Sequence, residues 1–104
     1  VSAPAYNADY FIRKFEAIPE DRWTTGVLHS ASDRRCALGH CVDESSSFDG
    51  PVYAALLNLS WRACETSRLP TIISVNDGYS VRYQQPTPRA RVLAWLRDAK
   101  EAGL

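Results

Sequence analysis

Apolar residues recur at three- and four-residue steps along three stretches of this chain, and each stretch predicts a helix. In the first, Ala8, Phe11, Ile12, Phe15 and Ile18 share one face, with Arg13, Lys14 and Glu16 on the other. Asn7 or Asp9 supplies the N-cap, and Pro19 stops the helix by forcing its predecessor out of the α region. In the second, Pro51 suits the first helical position, and Val52, Ala55, Leu56, Leu59 and Ala63 make a core stripe. Tyr53, Leu57, Trp61 and Cys64 form a second apolar face, as expected of a helix that is deeply buried or carries a contact surface. Ser67, Arg68 and Pro70 close it. The third has Thr87 as N-cap, Pro88 at N1 and Gly103 just past its end. Val92, Leu93, Leu96 and Ala99 form its buried stripe, with Trp95 at the edge.

Between the helices the pattern shortens. Pro19 to Trp23 reads as a short turn or a one-turn helix that drops Trp23 onto the core. Thr24 to His29 carries β-branched residues and predicts a short strand, followed by a polar turn over Ser30 to Asp33. Arg34 to Ala37 reads as strand-like, leading to a short helix from about Leu38; a helix capped directly by Ser32 or Asp33 is the competing reading. Glu44 to Gly50, with consecutive serines, is a surface loop. Thr71 to Val75 and Tyr79 to Tyr83 flank Asn76-Asp77-Gly78, which predicts a β-hairpin turning at Gly78. Its competitor is a helical turn over Pro70 to Val75. The sum is a small α+β domain spanning residues 1–104: three main helices packed with short antiparallel strands, behind a loose lead at Val1 to Asn7.

A length of 104 residues is enough for one hydrophobic core. The 12 basic and 12 acidic residues cancel, which removes the simplest electrostatic argument for nucleic-acid binding or for an acidic DNA mimic. No stretch approaches the length of a membrane span. Three cysteines cannot all pair, and no apolar leader precedes Val1, so a reduced cytoplasmic chain is expected.

Chemistry concentrates in Arg35-Cys36-Ala37-Leu38-Gly39-His40-Cys41. A thiol at a helix start, beside Arg34 and Arg35, would ionise readily, and His40 four residues on would share its face. Asn76 or Asp77 would orient the histidine, which completes the parts of a cysteine-dependent hydrolase or transferase. An inward Asp77 would need a partner, and Arg34 or Arg35 is the natural one. His29, Cys36, His40 and Cys41 are zinc-compatible residue types, but their spacing matches no closed zinc module, so no metal is expected. No glycine-rich phosphate loop or other cofactor motif is present, so no cofactor is expected either. Tyr79, Arg82, Tyr83, Arg89 and Arg91 combine the residue types enriched at protein interfaces and form a candidate partner-binding surface.

The segments Trp23-Thr24-Thr25-Gly26, Cys36-Ala37-Leu38-Gly39 and Asn76-Asp77, with the closing helix from Thr87 to Ala102, resemble a set of small uncharacterised bacterial and phage domains. The resemblance implies that Trp23, Gly26, Cys36, Gly39, Asn76 and Asp77 form one spatial cluster; it implies no activity. The function expected is therefore non-enzymatic: a cytoplasmic domain, carried by a phage or mobile element, that binds and inhibits or regulates a host protein. The alternative is the cysteine enzyme of Cys36 and His40.

Overall fold

Helix α1, Ala8–Glu16, begins where Asn7 accepts the Tyr10 N–H at 2.9 Å, the expected side-chain cap. Its buried face is Ala8, Phe11, Ile12 and Phe15. The computed structural model describes residues 6–42 and 50–104, so most of the serine loop expected at 44–50 lies outside the described residues. Helix α2, Pro51–Ser67, buries Leu56, Leu59, Ser60 and Ala63 and ends on a left-handed Arg68. Helix α3 is short, Ile72–Asp77. Helix α4, Pro88–Glu101, has Thr87 as its side-chain cap and Gly103 at positive φ beyond its end.

Helix α4 is the centre. Helices α1 and α3 both pack on it, and this sandwich widens its buried arc beyond the expected stripe. Trp95 is thus fully buried and not at the edge, with its indole N–H donating to the Pro70 carbonyl at 2.8 Å. Arg91, only 9% exposed, is drawn in on the same side. The start of α1 meets the end of the chain where Ala8 N donates to Leu104 O and Asp9 pairs with Lys100 at 2.8 Å.

The fold class differs from the α+β expectation: among the described residues the protein is all-helical, with no strand. The hairpin at 71–83 is replaced by α3. Thr71 caps it, and Ile72 and Val75, one turn apart, are fully buried. Burying each side chain is worth about 1.5–3 kcal/mol. The whole β-propensity scale spans only about 1 kcal/mol, so packing decides. The Asn-Asp-Gly sequence that reads as a hairpin turn is the helix's C-terminal stop. Gly78 takes φ +82°, Gly78 N donates to Val75 O, and Tyr79 N donates to Ser74 O.

The strand expected over Thr24 to His29 is also absent, as is the strand-like run over Arg34 to Ala37. Isolated bridges join Arg35 to Trp23 and to His29, and nothing extends them. Two 3-10 turns, Glu20–Arg22 and Gly39–Cys41, bracket this irregular segment. The reason lies in what its backbone bonds to. Thr24 O, Gly26 N and Ala37 N are satisfied by side chains from α3 and not by a neighbouring strand.

Candidate functional site

The side chains responsible are Asn76 and Asp77. The Asn76 amide is 2% exposed; its oxygen accepts from Ala37 N at 3.0 Å, and its nitrogen donates to Thr24 O and to Asp77 Oδ1, each at 3.0 Å. Asp77 Oδ1 also accepts from Gly26 N at 2.9 Å. Two adjacent residues at the end of a six-residue helix thus fasten both limbs of a loop some fifty residues earlier in the chain. Their helix end is held in turn by Arg91, whose guanidinium donates to the carbonyls of Val75, Asn76 and Gln85 at 2.8–3.0 Å. A buried cation against helix C-terminal carbonyls is electrostatically favourable, and each bond is charge-assisted.

Gly39 fixes the second contact. A β-carbon there would overlap the Leu28 carbonyl oxygen, so only glycine lets the two limbs close. Trp23, buried under this loop, stacks edge-on with Phe15 at 5.3 Å and against His40 at 4.7 Å.

The fastened loop leaves a cleft of about 260 Å³ between itself, α2 and α3. Val27, Leu28, Ala37, Leu38, Tyr53, Ile72 and Ile73 make its apolar walls; Cys36, Asn76 and Asp77 are the polar groups. Val27 and Ile73 are half-exposed at its margin. Tyr53 lies on the edge of α2 that faces α3, since Ser60 on the same edge accepts from Ile72 N at 3.0 Å. Leu57 and Trp61 continue outward from that edge, and Trp61 is 66% exposed. On the second apolar face read from the α2 sequence, Leu57 and Trp61 are therefore exposed, whereas Tyr53 and Cys64 are half-buried.

Cys36 and His40 are not brought into one site. Cys36 lines the apolar cleft with Asn76 and Asp77, whereas His40 lines a separate hollow with Ile18, Pro19, Arg22 and Arg35. His40 N donates to Cys36 O at 3.0 Å, a backbone bond. Cys36 is not at a helix start. It is half-buried, and its sulfur accepts the Gly39 N–H at 3.4 Å. Burial pushes its thiol pKa up, and the Gly39 N–H only partly opposes this. Burial pushes Cys41 up further, to about 12. His40 is pushed down to about 4, by burial first and then by the charges of Arg35 and Lys14; its Nε2 is buried without a hydrogen-bond partner among the described residues. Arg35 does not pair with Asp77 as expected. Its guanidinium donates to Gly39 O and Val42 O. His29 pairs with Asp33 at 2.7 Å on the far side of the loop, and that bond lowers the Asp33 pKa. No three His, Cys, Asp or Glu side chains converge on a metal position among the described residues.

The aromatic and basic candidates divide. Tyr83 is buried, donates to Asp98 at 2.6 Å and has its pKa raised, by burial first and by that carboxylate second. Arg89 caps the C-terminal end of α1 through Glu16 O and Ile18 O, and Arg91 holds α3. Tyr79 and Arg82 remain exposed, beside Val81. The sequence missed Val27 and Ile73, because exposure of single β-branched residues leaves no periodic trace. It did mark Leu57 and Trp61, as an apolar face without a stated neighbour.

Fold and site together define a small helical domain in which a polar clamp props open an apolar cleft. No family model, curated protein or solved structure matches the chain.

Proposed function

We propose that this chain is a non-enzymatic protein-binding domain, working in the cytoplasm as a regulator or inhibitor of a host protein and carried by a phage or mobile element. The observation that supports it is the uncovered apolar face formed by Val27 and Ile73 at the cleft and by Leu57 and Trp61 on the adjoining turn of α2. Large exposed aromatics next to a preformed depression are the usual anchors of an interface. The three free thiols fit a reducing compartment, and no helix among the described residues is long and apolar enough to cross a membrane. The bacterial and phage domains that the motifs resemble supply the setting.

The clamp of Asn76 and Asp77 is a structural pin in this reading, and Cys36 packs beside it. The cysteine-enzyme alternative lacks support, since the thiol is held protonated and its intended base lines another hollow.

The test is capture of a host protein on the immobilised domain, repeated with Trp61→Ala, Ile73→Asp and, as a separate surface, Tyr79→Ala. Loss of the captured protein with Trp61→Ala and Ile73→Asp, at unchanged thermal unfolding, is the expected result. Retention with both variants would overturn the assignment of this face. Cys36→Ser lowers stability but leaves capture intact in the folded fraction.

A further inference from the structure

Asp77 is the one charged residue among those lining the apolar cleft, and it forms no ion pair among the described residues. Arg91, whose guanidinium holds the end of the same helix, is committed to three backbone carbonyls. Cys36 beside it carries a neutral thiol and adds no competing charge. A carboxylate at the edge of an apolar cleft is complementary to a cation on an aliphatic stem. Its two oxygens are unequal. Oδ1 already accepts from Gly26 N and Asn76 Nδ2, whereas Oδ2 has no hydrogen-bond partner among the described residues.

We infer that the cleft receives a lysine side chain of the protein partner, with its methylenes against Val27, Leu28 and Ile73 and its ammonium on Asp77 Oδ2. This rests on the protein-binding reading above and names what that site holds. Size admits it: four methylenes and a nitrogen at roughly 30 Å³ each need about 150 Å³. The cleft offers about 260 Å³. Size admits arginine as well, but hydrogen bonding separates the two. A guanidinium fork binds best across both carboxylate oxygens, and Oδ1 is already filled; a point-charge ammonium needs only one. The apolar walls set a second requirement, because a bare cation without a stem would leave them uncovered.

The experiment titrates the intact protein with three blocked amino acids: N-acetyl-lysine methylamide, its arginine counterpart and its norleucine counterpart, which keeps the stem and lacks the charge. The readouts are the amide resonances of Gly26 and the Asn76 side chain, together with protection of Cys36 from alkylation. The expected result is saturable binding of the lysine probe with an affinity of about millimolar. Binding of the norleucine and arginine probes should be roughly tenfold weaker, and Asp77→Asn should bring the lysine probe down to the norleucine level. Asp77→Asn keeps an oxygen for Gly26 N, so the clamp stays closed and unchanged thermal unfolding verifies the fold. Equal binding of norleucine and lysine overturns the charge recognition. Tighter binding of arginine overturns the argument from the filled oxygen. No response to the lysine probe up to about 50 mM overturns the site, since that is well above a millimolar dissociation constant. The two readings fail separately. If Trp61→Ala abolishes capture of the partner while Asp77→Asn leaves it intact, the lysine anchor is wrong and the interface stands. If neither variant affects capture, the interface is wrong as well.

Discussion

Replacing Asn76 by alanine should cost this protein a large part of its stability, and the loss can be built up bond by bond. The substitution removes three side-chain hydrogen bonds. They are not equivalent. Ala37 is almost fully buried, so its N–H loses its acceptor where water does not replace it, at about 1–3 kcal/mol. Thr24 O and Asp77 lie nearer solvent, and each lost bond there costs about 0.5–1.5 kcal/mol. Adding the void left by a buried amide gives roughly 3–5 kcal/mol, against about 5–15 kcal/mol for a whole domain. Urea unfolding followed by tryptophan fluorescence measures the total. Hydrogen exchange at Ala37 and Gly26 and alkylation of Cys36 show whether the loop lets go first, as it should when its tether to α3 is cut. Asn76→Asp is the isosteric companion. It keeps the acceptor for Ala37 N but sets a carboxylate against Thr24 O and Asp77, so at neutral pH it should destabilise at least as much as alanine. A loss below about 1 kcal/mol with unchanged exchange at Ala37 would refute the clamp, since one unsatisfied buried N–H alone exceeds that.

Three further outcomes follow from the same geometry. Gly39→Ala drives a methyl into the Leu28 carbonyl and should cost at least about 1–3 kcal/mol, and a loss below about 1 kcal/mol would refute the close approach; Gly26→Ala, in open space but at φ +78°, should cost about 1–2 kcal/mol through its backbone conformation alone. His40 makes stability fall on mild acidification. The unfolded chain takes up a proton from about pH 6.5 downward, which the folded chain refuses until about pH 4. The loss across that window is at most about 3 kcal/mol, and nearer 1–2 kcal/mol once partial solvent contact is allowed for. His40→Phe should flatten that slope in unfolding measured against pH; the carboxylates Asp9 and Asp33, held low first by their hydrogen bonds to Lys100 and His29, add their own loss at lower pH. Tyr83→Phe removes the bond to Asp98 and should cost about 1–2 kcal/mol in urea unfolding, with no effect on partner capture.

Three of the four α-helices among the described residues were written into the order of residues, because each carries its own periodicity and caps. Asn7, Pro19, Pro51, Thr87, Pro88 and Gly103 act through the few residues beside them, so their effects are local and legible. The pairing of Asn76 and Asp77 with the loop is seen only in three dimensions, where Asp77 takes Gly26 N and Asn76 takes Ala37 N and Thr24 O. Tertiary structure decided the rest. Whether Thr71 to Val75 forms a strand or a helix turns on about 1 kcal/mol of propensity, and the surface of α4 that buries Ile72 and Val75 outweighs it. Whether Thr24 to Ala37 forms strands depends on which groups satisfy its backbone: a few bonds join its limbs directly, and Thr24 O, Gly26 N and Ala37 N go to two side chains about forty to fifty positions away, a pairing with no local signature. The same distance hides the cleft. A carboxylate among apolar walls exists only once α3, α2 and the loop meet, so no spacing along the chain could announce it.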